Sequence, residues 1–317
     1  MQAVFLDWES VDHQDLDAGC LQELPVDWQF YPSTSAAQLA ERLHNQNIVV
    51  SNKVVLDAAT IHAAAELKLI CVAATGTNNV DLDAAARRDI PVCNVRAYAT
   101  ASVVQHVFML ILNLMRCQPQ YQQALNQGRW QHSAHFCFLD YTIEELTGKT
   151  LGVIGYGELG RAVASMAEQF GMQVKVAQRL HAPPLAGRVA LDELLPQVDV
   201  LSLHCPLSET TRQLIGTREL AMMKPSAILI NTARGGIVDE TALLAALRTG
   251  KLAGAGIDVL EREPPRDGNA LLEATLPNLI VTPHIAWASR QARQRLIEGV
   301  AQNIAAFLAG NPGQRVN

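Results

Sequence analysis

Short apolar runs alternate with amphipathic stretches along most of this chain, and the two periods place its elements. In the first third, residues 3–7, 27–31, 47–51, 69–73 and 91–94 read as strands, each a brief and nearly continuous apolar run. Between them, 36–44, 58–65 and 81–88 carry apolar residues on one face of a helical repeat, with Ser35 placed as an N-cap before the first. A turn-rich stretch, Ala74-Thr-Gly-Thr-Asn-Asn79, follows the fourth strand. Apolar strands separated by helices imply a parallel sheet covered on both faces. The pattern predicts a first domain of flavodoxin-like α/β type.

Residues 100–116 change character. Val103, Val104, Val107, Phe108, Leu110, Ile111, Leu114 and Met115 leave the predicted helix apolar nearly all round, which places it in a core or a subunit interface. The next segment, 127–145, follows no period and gathers Trp130, His132, His135, Phe136, Phe138 and Tyr141. From Lys149 a second alternating series begins, with strands at 151–154, 174–177, 198–204, 227–231, 254–258 and 279–282. Helices fit 158–170, 191–195, 218–222 and 240–248, and a last helix at 289–309 is expected to return to the first domain.

Size and composition narrow the class. The chain has 317 residues, enough for two domains with substantial cores, and 49% hydrophobic with 18% charged residues suits a compact α/β protein. A formal charge of −6 leaves no electrostatic footprint for nucleic acid, so a negatively charged ligand needs local positive groups. No apolar run of about 18 residues suggests a membrane span. The first residues lack the basic and long apolar regions of a signal peptide, and a cytoplasmic location is expected. Cys20, Cys71, Cys93, Cys117, Cys137 and Cys205 are scattered without a C-x-x-C pair, as reduced thiols would be. His132, His135 and Cys137 have ligand chemistry, but no second ligand cluster accompanies them and no metal is expected.

One stretch carries a cofactor signal. Gly155, Gly157 and Gly160 stand in G-x-G-x-x-G spacing between the 151–154 strand and the following helix. Such a turn brings backbone N–H groups and a helix N-terminus to a pyrophosphate. In this pattern Gly155 allows the turn, Gly157 leaves room for the phosphates and Gly160 lets helix and strand pack closely. A dinucleotide site should also present an acid at the end of the second strand to bind the adenosine ribose. Here the residues are Gln178 and Arg179. An Asp would repel a 2′-phosphate, whereas Arg179 could pair with one, and this favours NADP. The other reading keeps Gln178 on the 2′-hydroxyl of NAD with Arg179 in solvent.

Three polar residues follow strand ends of the same series. Arg234 lies in Asn231-Thr-Ala-Arg-Gly-Gly236, and a guanidinium there suits a carboxylate ligand. Glu263 precedes two prolines, which restrict its backbone direction. His284 follows Thr282-Pro283 immediately after a strand. Their convergence on one crevice is geometrically reasonable.

Together the glycine motif, Thr232-Ala-Arg-Gly-Gly236, Asp258-Val with Glu263-Pro, and Thr282-Pro-His-Ile resemble the D-isomer-specific 2-hydroxyacid dehydrogenase family over nearly the whole chain. Further stretches at 72–81, 93–98, 136–140 and 283–289 are similar to its glycerate dehydrogenase and hydroxypyruvate reductase branch. The resemblance implies a Rossmann-type dinucleotide-binding domain, 99–288, inserted in a flavodoxin-like substrate domain formed by 1–98 and completed by 289–317. It implies a homodimer, with a dimerisation helix and arm at 100–145 and Phe136 or Phe138 reaching the partner's active site. It implies NAD- or NADP-dependent reduction of hydroxypyruvate, with glyoxylate beside it. His284 is then the general acid, Glu263 the partner that favours its charged form, and Arg234 the residue that holds the substrate carboxylate and polarises the carbonyl. Lys53 and the backbone of Ala74, Thr75 and Gly76 would bind substrate. Thr100, Glu158, Leu159, Pro206, Thr232, Ala233 and Asp258 would line the cofactor. Alternatives are another small 2-oxo acid as substrate, or a dinucleotide-sensing interaction protein similar to corepressors of the same fold.

Overall fold

The computed structural model describes residues 1–317, which divide into two compact units, Met1–Ala99 with Trp287–Asn317, and Thr100–Ala286. In the first unit, β1 (Gln2–Phe5), β2 (Asp27–Phe30), β3 (Ile48–Ser51), β4 (Leu69–Val72) and β5 (Val92–Cys93) form one sheet in the order β2-β1-β3-β4-β5. Every neighbouring pair is parallel. All residues of β3 and β4 are buried, as expected of central parallel strands covered on both faces. The helix Leu82–Arg87 begins one residue later than its pattern suggests, because Asp81 serves as its cap and accepts from the Ala84 N–H at 2.8 Å. The last helix, Arg290–Leu308, belongs to this unit and buries Leu296, Ile297, Val300 and Ile304. Its Arg293, 9% exposed, holds both carboxylate oxygens of Asp15 at 2.8 and 2.7 Å.

The second unit is built on β6 (Thr150–Ile154), β7 (Gln173–Ala177), β8 (Arg188–Val189), β9 (Val200–Leu203), β10 (Ile228–Asn231), β11 (Gly254–Ile257) and β12 (Leu279–Val281). Their order is β12-β11-β10-β9-β6-β7-β8, again parallel throughout. The direction of winding reverses between β6 and β9, and in open parallel sheets ligands bind outside the carboxyl ends of the strands at such a switch point. In-register pairing brings Asn231 beside Ile257 and Ile257 beside Val281, so β10, β11 and β12 end level with one another.

Some elements carry too little pattern to be read from the chain. β8 is two residues long. The helix Gln118–Asn126 is mostly polar and is separated from Thr100–Met115 by Cys117 in a left-handed conformation. The two helices are bent by 60° at that break, and no single helix is long and apolar enough to cross a membrane. Gly19–Gln22 and Ala270–Glu273 are single helical turns.

The helix Thr100–Met115 packs closely on β10 and β11. A Cβ at Gly256 would lie 2.9 Å from Leu110 Cβ and 3.0 Å from Ile230 Cδ1. Any side chain at Gly256 therefore moves the helix or the strand. Gly256→Ala should lower the stability of the protein by about 1–3 kcal/mol through overpacking. Urea unfolding at neutral pH checks this, and an unchanged midpoint would show that the contact yields freely.

Candidate active site

The glycine turn after β6 has the geometry its sequence suggests. Gly155 has φ +89°, and a Cβ there would fall 2.4 Å from the carbonyl carbon of His204 at the end of β9. A Cβ on Gly160 would lie 2.0 Å from the Gly155 carbonyl oxygen, so the helix Glu158–Gln169 can start this close to the strand only without one. Gly157 faces open space, with nothing within 4 Å of the point a Cβ would occupy. That leaves room at a positive helix terminus for a pyrophosphate. A second mark lies after β10, where the Thr232 hydroxyl is buried without a hydrogen-bond partner. An orphaned hydroxyl and an open glycine turn after strands of the same parallel sheet fit a nicotinamide dinucleotide.

At the end of β7, Gln178 turns toward the loop that follows the strand. Its amide nitrogen donates to the carbonyls of Pro183 (2.8 Å) and Ala182 (3.3 Å), and its oxygen accepts from Leu185 N at 3.1 Å. The side chain braces the loop after β7 through both its amide nitrogen and its oxygen. Arg179 remains exposed beside it. Thr100 and Glu158, both expected near the cofactor, are hydrogen-bonded to each other. Leu159 follows in the first turn of the helix, and Pro206, after β9, accepts from the Thr211 hydroxyl at 2.7 Å.

Glu263 and His284 come together in this unit, and the turn that carries Arg234 packs on the segment leading to Glu263. Asn231, 1% exposed, shapes the turn that carries Arg234: its amide donates to the Arg234 carbonyl at 2.9 Å and its oxygen accepts from Ala233 N at 3.0 Å. Gly235 lets this turn approach the segment after β11, since a Cβ there would overlap the Leu260 carbonyl oxygen at 1.8 Å. The Arg234 guanidinium reaches the Ala233 carbonyl at 2.7 Å.

Glu263 divides its carboxylate between two partners. One oxygen accepts from Leu260 N at 2.8 Å, and the other lies 2.6 Å from His284 Nδ1. An ionised carboxylate only accepts, so Nδ1 carries a proton and Nε2 faces away from the pair. His284 is held in the left-handed region, with φ +55°. Its N–H donates to the Asp258 carbonyl at 2.8 Å and the Thr282 carbonyl at 3.0 Å. A β-carbon residue in that region is strained and needs its surroundings to hold it.

Asp258 supplies much of that hold. It is 1% exposed, and its carboxylate accepts from Ile285 N and Ala286 N, both at 2.9 Å, and from the Thr282 hydroxyl at 2.5 Å. The side chain expected at the cofactor thus holds the backbone just after His284 and the Thr282 hydroxyl just before it.

The remaining sequence candidates belong to the first unit. Lys53 follows β3, and its N–H donates at 2.6 Å to Asp7, whose other oxygen accepts from Asn52 N at 2.9 Å. Burial pushes the Asp7 carboxyl up, while the N–H groups of Asn52 and Lys53 pull it down. The turn through Ala74, Thr75 and Gly76 follows β4, with the Thr75 hydroxyl donating to the Val95 carbonyl at 2.9 Å and Asn94 donating to the Thr75 carbonyl at 2.6 Å. Asp7 and His204 carry no motif, and Asn231 opens the Arg234 stretch without a role of its own; only their contacts in space reveal what these residues hold.

Comparison with known proteins assigns the class. The family model for the D-isomer specific 2-hydroxyacid dehydrogenase NAD binding domain matches residues 108–286, and the chain belongs to this family. It is 46% identical over 312 residues, 98% of this chain and 97% of the other, to a glycerate dehydrogenase of Methylorubrum extorquens. It is 36% identical to a hydroxypyruvate reductase of Blautia hydrogenotrophica, covering 95% of this chain and 98% of that one. Among solved structures, an acyclic imino acid reductase in complex with NADPH and D-Arg superposes with a TM-score of 0.88 at 26% identity, over 100% of both chains. The protein is an enzyme of the D-2-hydroxyacid dehydrogenase family, with a Rossmann dinucleotide-binding unit and a second α/β unit.

His204, beneath the glycine turn, also gives a test of stability. Its Nε2 lies 2.8 Å from the Ser202 hydroxyl, and burial of the ring pushes its pKa down from 6.5 to about 4. The unfolded chain therefore binds more protons between these values, and stability falls as the pH drops from 6.5 toward 4. The full loss from this group is on the order of 3 kcal/mol. His204→Gln should flatten this part of the stability profile, measured as urea midpoints from neutral to mildly acidic pH, and an unchanged slope would contradict it.

Proposed function

We propose that this enzyme reduces hydroxypyruvate to D-glycerate, and glyoxylate to glycolate, in a reversible reaction with NADPH or NADH. The observation that carries the reading is the His284–Glu263 pair, 2.6 Å apart at the end of one strand series with Arg234. Identity of 46% to a glycerate dehydrogenase supports the choice of substrate. A bound nicotinamide dinucleotide supplies the hydride that the carbonyl carbon accepts. His284 gives the proton from Nε2 to the carbonyl oxygen as negative charge gathers there. Glu263 orients the ring through Nδ1. Arg234 holds the substrate carboxylate and polarises the carbonyl. We assign Lys53 and the 74–76 backbone a part in substrate binding. Thr100, Gly155, Gly157, Glu158, Leu159, Gly160, Pro206, Thr232, Ala233 and Asp258 are assigned to the cofactor side, Asp258 through its hold on the segment after β12.

The cofactor reading leans to NADP. No carboxylate stands at the end of β7, Gln178 is engaged by its own loop, and Arg179 is exposed there. We also propose a homodimer. In the arm, Phe138 is held against Tyr121 at 5.3 Å and beneath Arg129 at 5.2 Å, whereas Phe136 is 90% exposed. Phe136 is therefore the aromatic we assign to the partner's site. The six cysteines are free thiols, which suits a cytoplasmic location.

Initial rates over a panel of 2-oxo acids with both cofactors test the substrate reading. Hydroxypyruvate should give the highest kcat/KM, and failure to reduce either it or glyoxylate with both cofactors would overturn it. His284→Ala should lower kcat by at least about a hundredfold, with dinucleotide affinity by fluorescence little changed. Lys53→Ala should raise KM for hydroxypyruvate more than it lowers kcat, and steady-state kinetics would detect the opposite split.

A further inference from the structure

The helix Thr100–Met115 is apolar almost throughout, yet two buried or half-buried polar side chains on it, one turn apart, point at the same segment. Ser102, buried, donates from its hydroxyl to the Ala286 carbonyl at 2.7 Å. His106 places Nε2 2.9 Å from the Thr282 hydroxyl and 3.4 Å from Asp258 Oδ1. These contacts bracket residues 282–286, the segment that carries His284 in its left-handed conformation.

The hydrogen-bond arithmetic fixes the state of the ring. The single Thr282 hydroxyl proton goes to Asp258 at 2.5 Å, so the Thr282 oxygen faces His106 as an acceptor and Nε2 must be the donor. Burial pushes the His106 pKa down, against the pull of Asp258, which keeps the ring neutral near pH 7. A neutral Nε2–H donor completes the set around Asp258, whose other partners are the Thr282 hydroxyl and the Ile285 and Ala286 N–H groups just after His284. An apolar residue at 106 would leave Thr282 and Asp258 with one donor fewer in a buried place, where a missing partner is costly.

We infer that His106 and Ser102 are positioning residues for His284, holding the 282–286 segment through Thr282, Asp258 and the Ala286 carbonyl in the turn that presents the imidazole. Neither side chain is needed to bind nucleotide or substrate. Their effect is on the placement of Nε2, and misplacement by about 1 Å is enough to cost a large factor in rate.

The inference rests on His284 being the proton donor of the proposed reaction, and its test separates the two claims. Three variants serve: His106→Leu, which removes the donor at similar bulk; His106→Gln, whose amide can place a donor where Nε2 stands; and Ser102→Ala. Each is assayed with hydroxypyruvate, titrated with NADH and NADPH by fluorescence, and examined by NMR of the protein carrying nitrogen-15 histidine. His106→Leu should lower kcat about tenfold or more, with dinucleotide Kd within about threefold of the parent, and should shift or broaden the His284 ring resonances. His106→Gln should restore most of kcat and the parent resonance positions, and Ser102→Ala should lower kcat severalfold in the same direction. Unchanged kcat in His106→Leu, or a loss of kcat with His284 resonances unmoved, overturns the inference. If His106→Leu does not fold, Ser102→Ala decides, and parent-like kcat and His284 resonances in that variant overturn it. If the parent itself turns over neither hydroxypyruvate nor glyoxylate, the proposed function has failed, and the resonances alone then decide the positioning claim.

Discussion

The carboxylate of Glu263 makes two separate commitments, and the chemistry of the site depends on both. One oxygen is tied to Leu260 N, which fixes the side chain relative to the segment after β11. The other takes the Nδ1 proton of His284, which fixes the tautomer and leaves Nε2 as the outward nitrogen. A histidine without the acid could take either tautomer and rotate; an acid without the backbone anchor would follow the histidine rather than direct it. The pair works only because β11 and β12 end side by side in register, and because Gly235 admits the Arg234 turn against the same segment.

Strain at His284 is the cost of this arrangement. A left-handed backbone at a residue with a β-carbon persists where surrounding contacts over-determine it. Asp258 provides two of those contacts from its side chain and one from its carbonyl, all from the strand next door. His284 is thus set at the end of a rigid sheet rather than on a mobile loop, the placement that the proposed role of proton donor would need. At the other end of the same edge the glycine turn requires the opposite property, open space over a helix terminus, and Gly157 supplies it.

Much of this was legible in the chain. The strands of both sheets show as apolar runs because central parallel strands are buried on both faces, and the glycine spacing locates the nucleotide turn because steric contacts at Gly155 and Gly160 admit no side chain. Arg234, Glu263 and His284 stand out as polar residues at strand ends. What the chain does not display are partnerships across sequence distance. Gln178 reads as a ribose ligand from position alone, and only the loop folded over it shows where its amide goes. Asp258 reads as a cofactor contact, although its carboxylate is buried among N–H groups 27 and 28 residues away. Asp7 beneath Lys53, and Ser102 and His106 on an otherwise apolar helix, carry no local signature because their meaning lies in what they face.

The most direct test of the account is a double-mutant cycle on the pair, with His284→Ala, Glu263→Gln and the double variant compared in kcat/KM for hydroxypyruvate reduction. If Glu263 acts through His284, the double variant is no slower than His284→Ala alone, because removing the imidazole already removes what the acid orients. Losses that multiply, so that the double variant is slower by the product of the two single effects, would show that Glu263 and His284 act independently and would contradict the account.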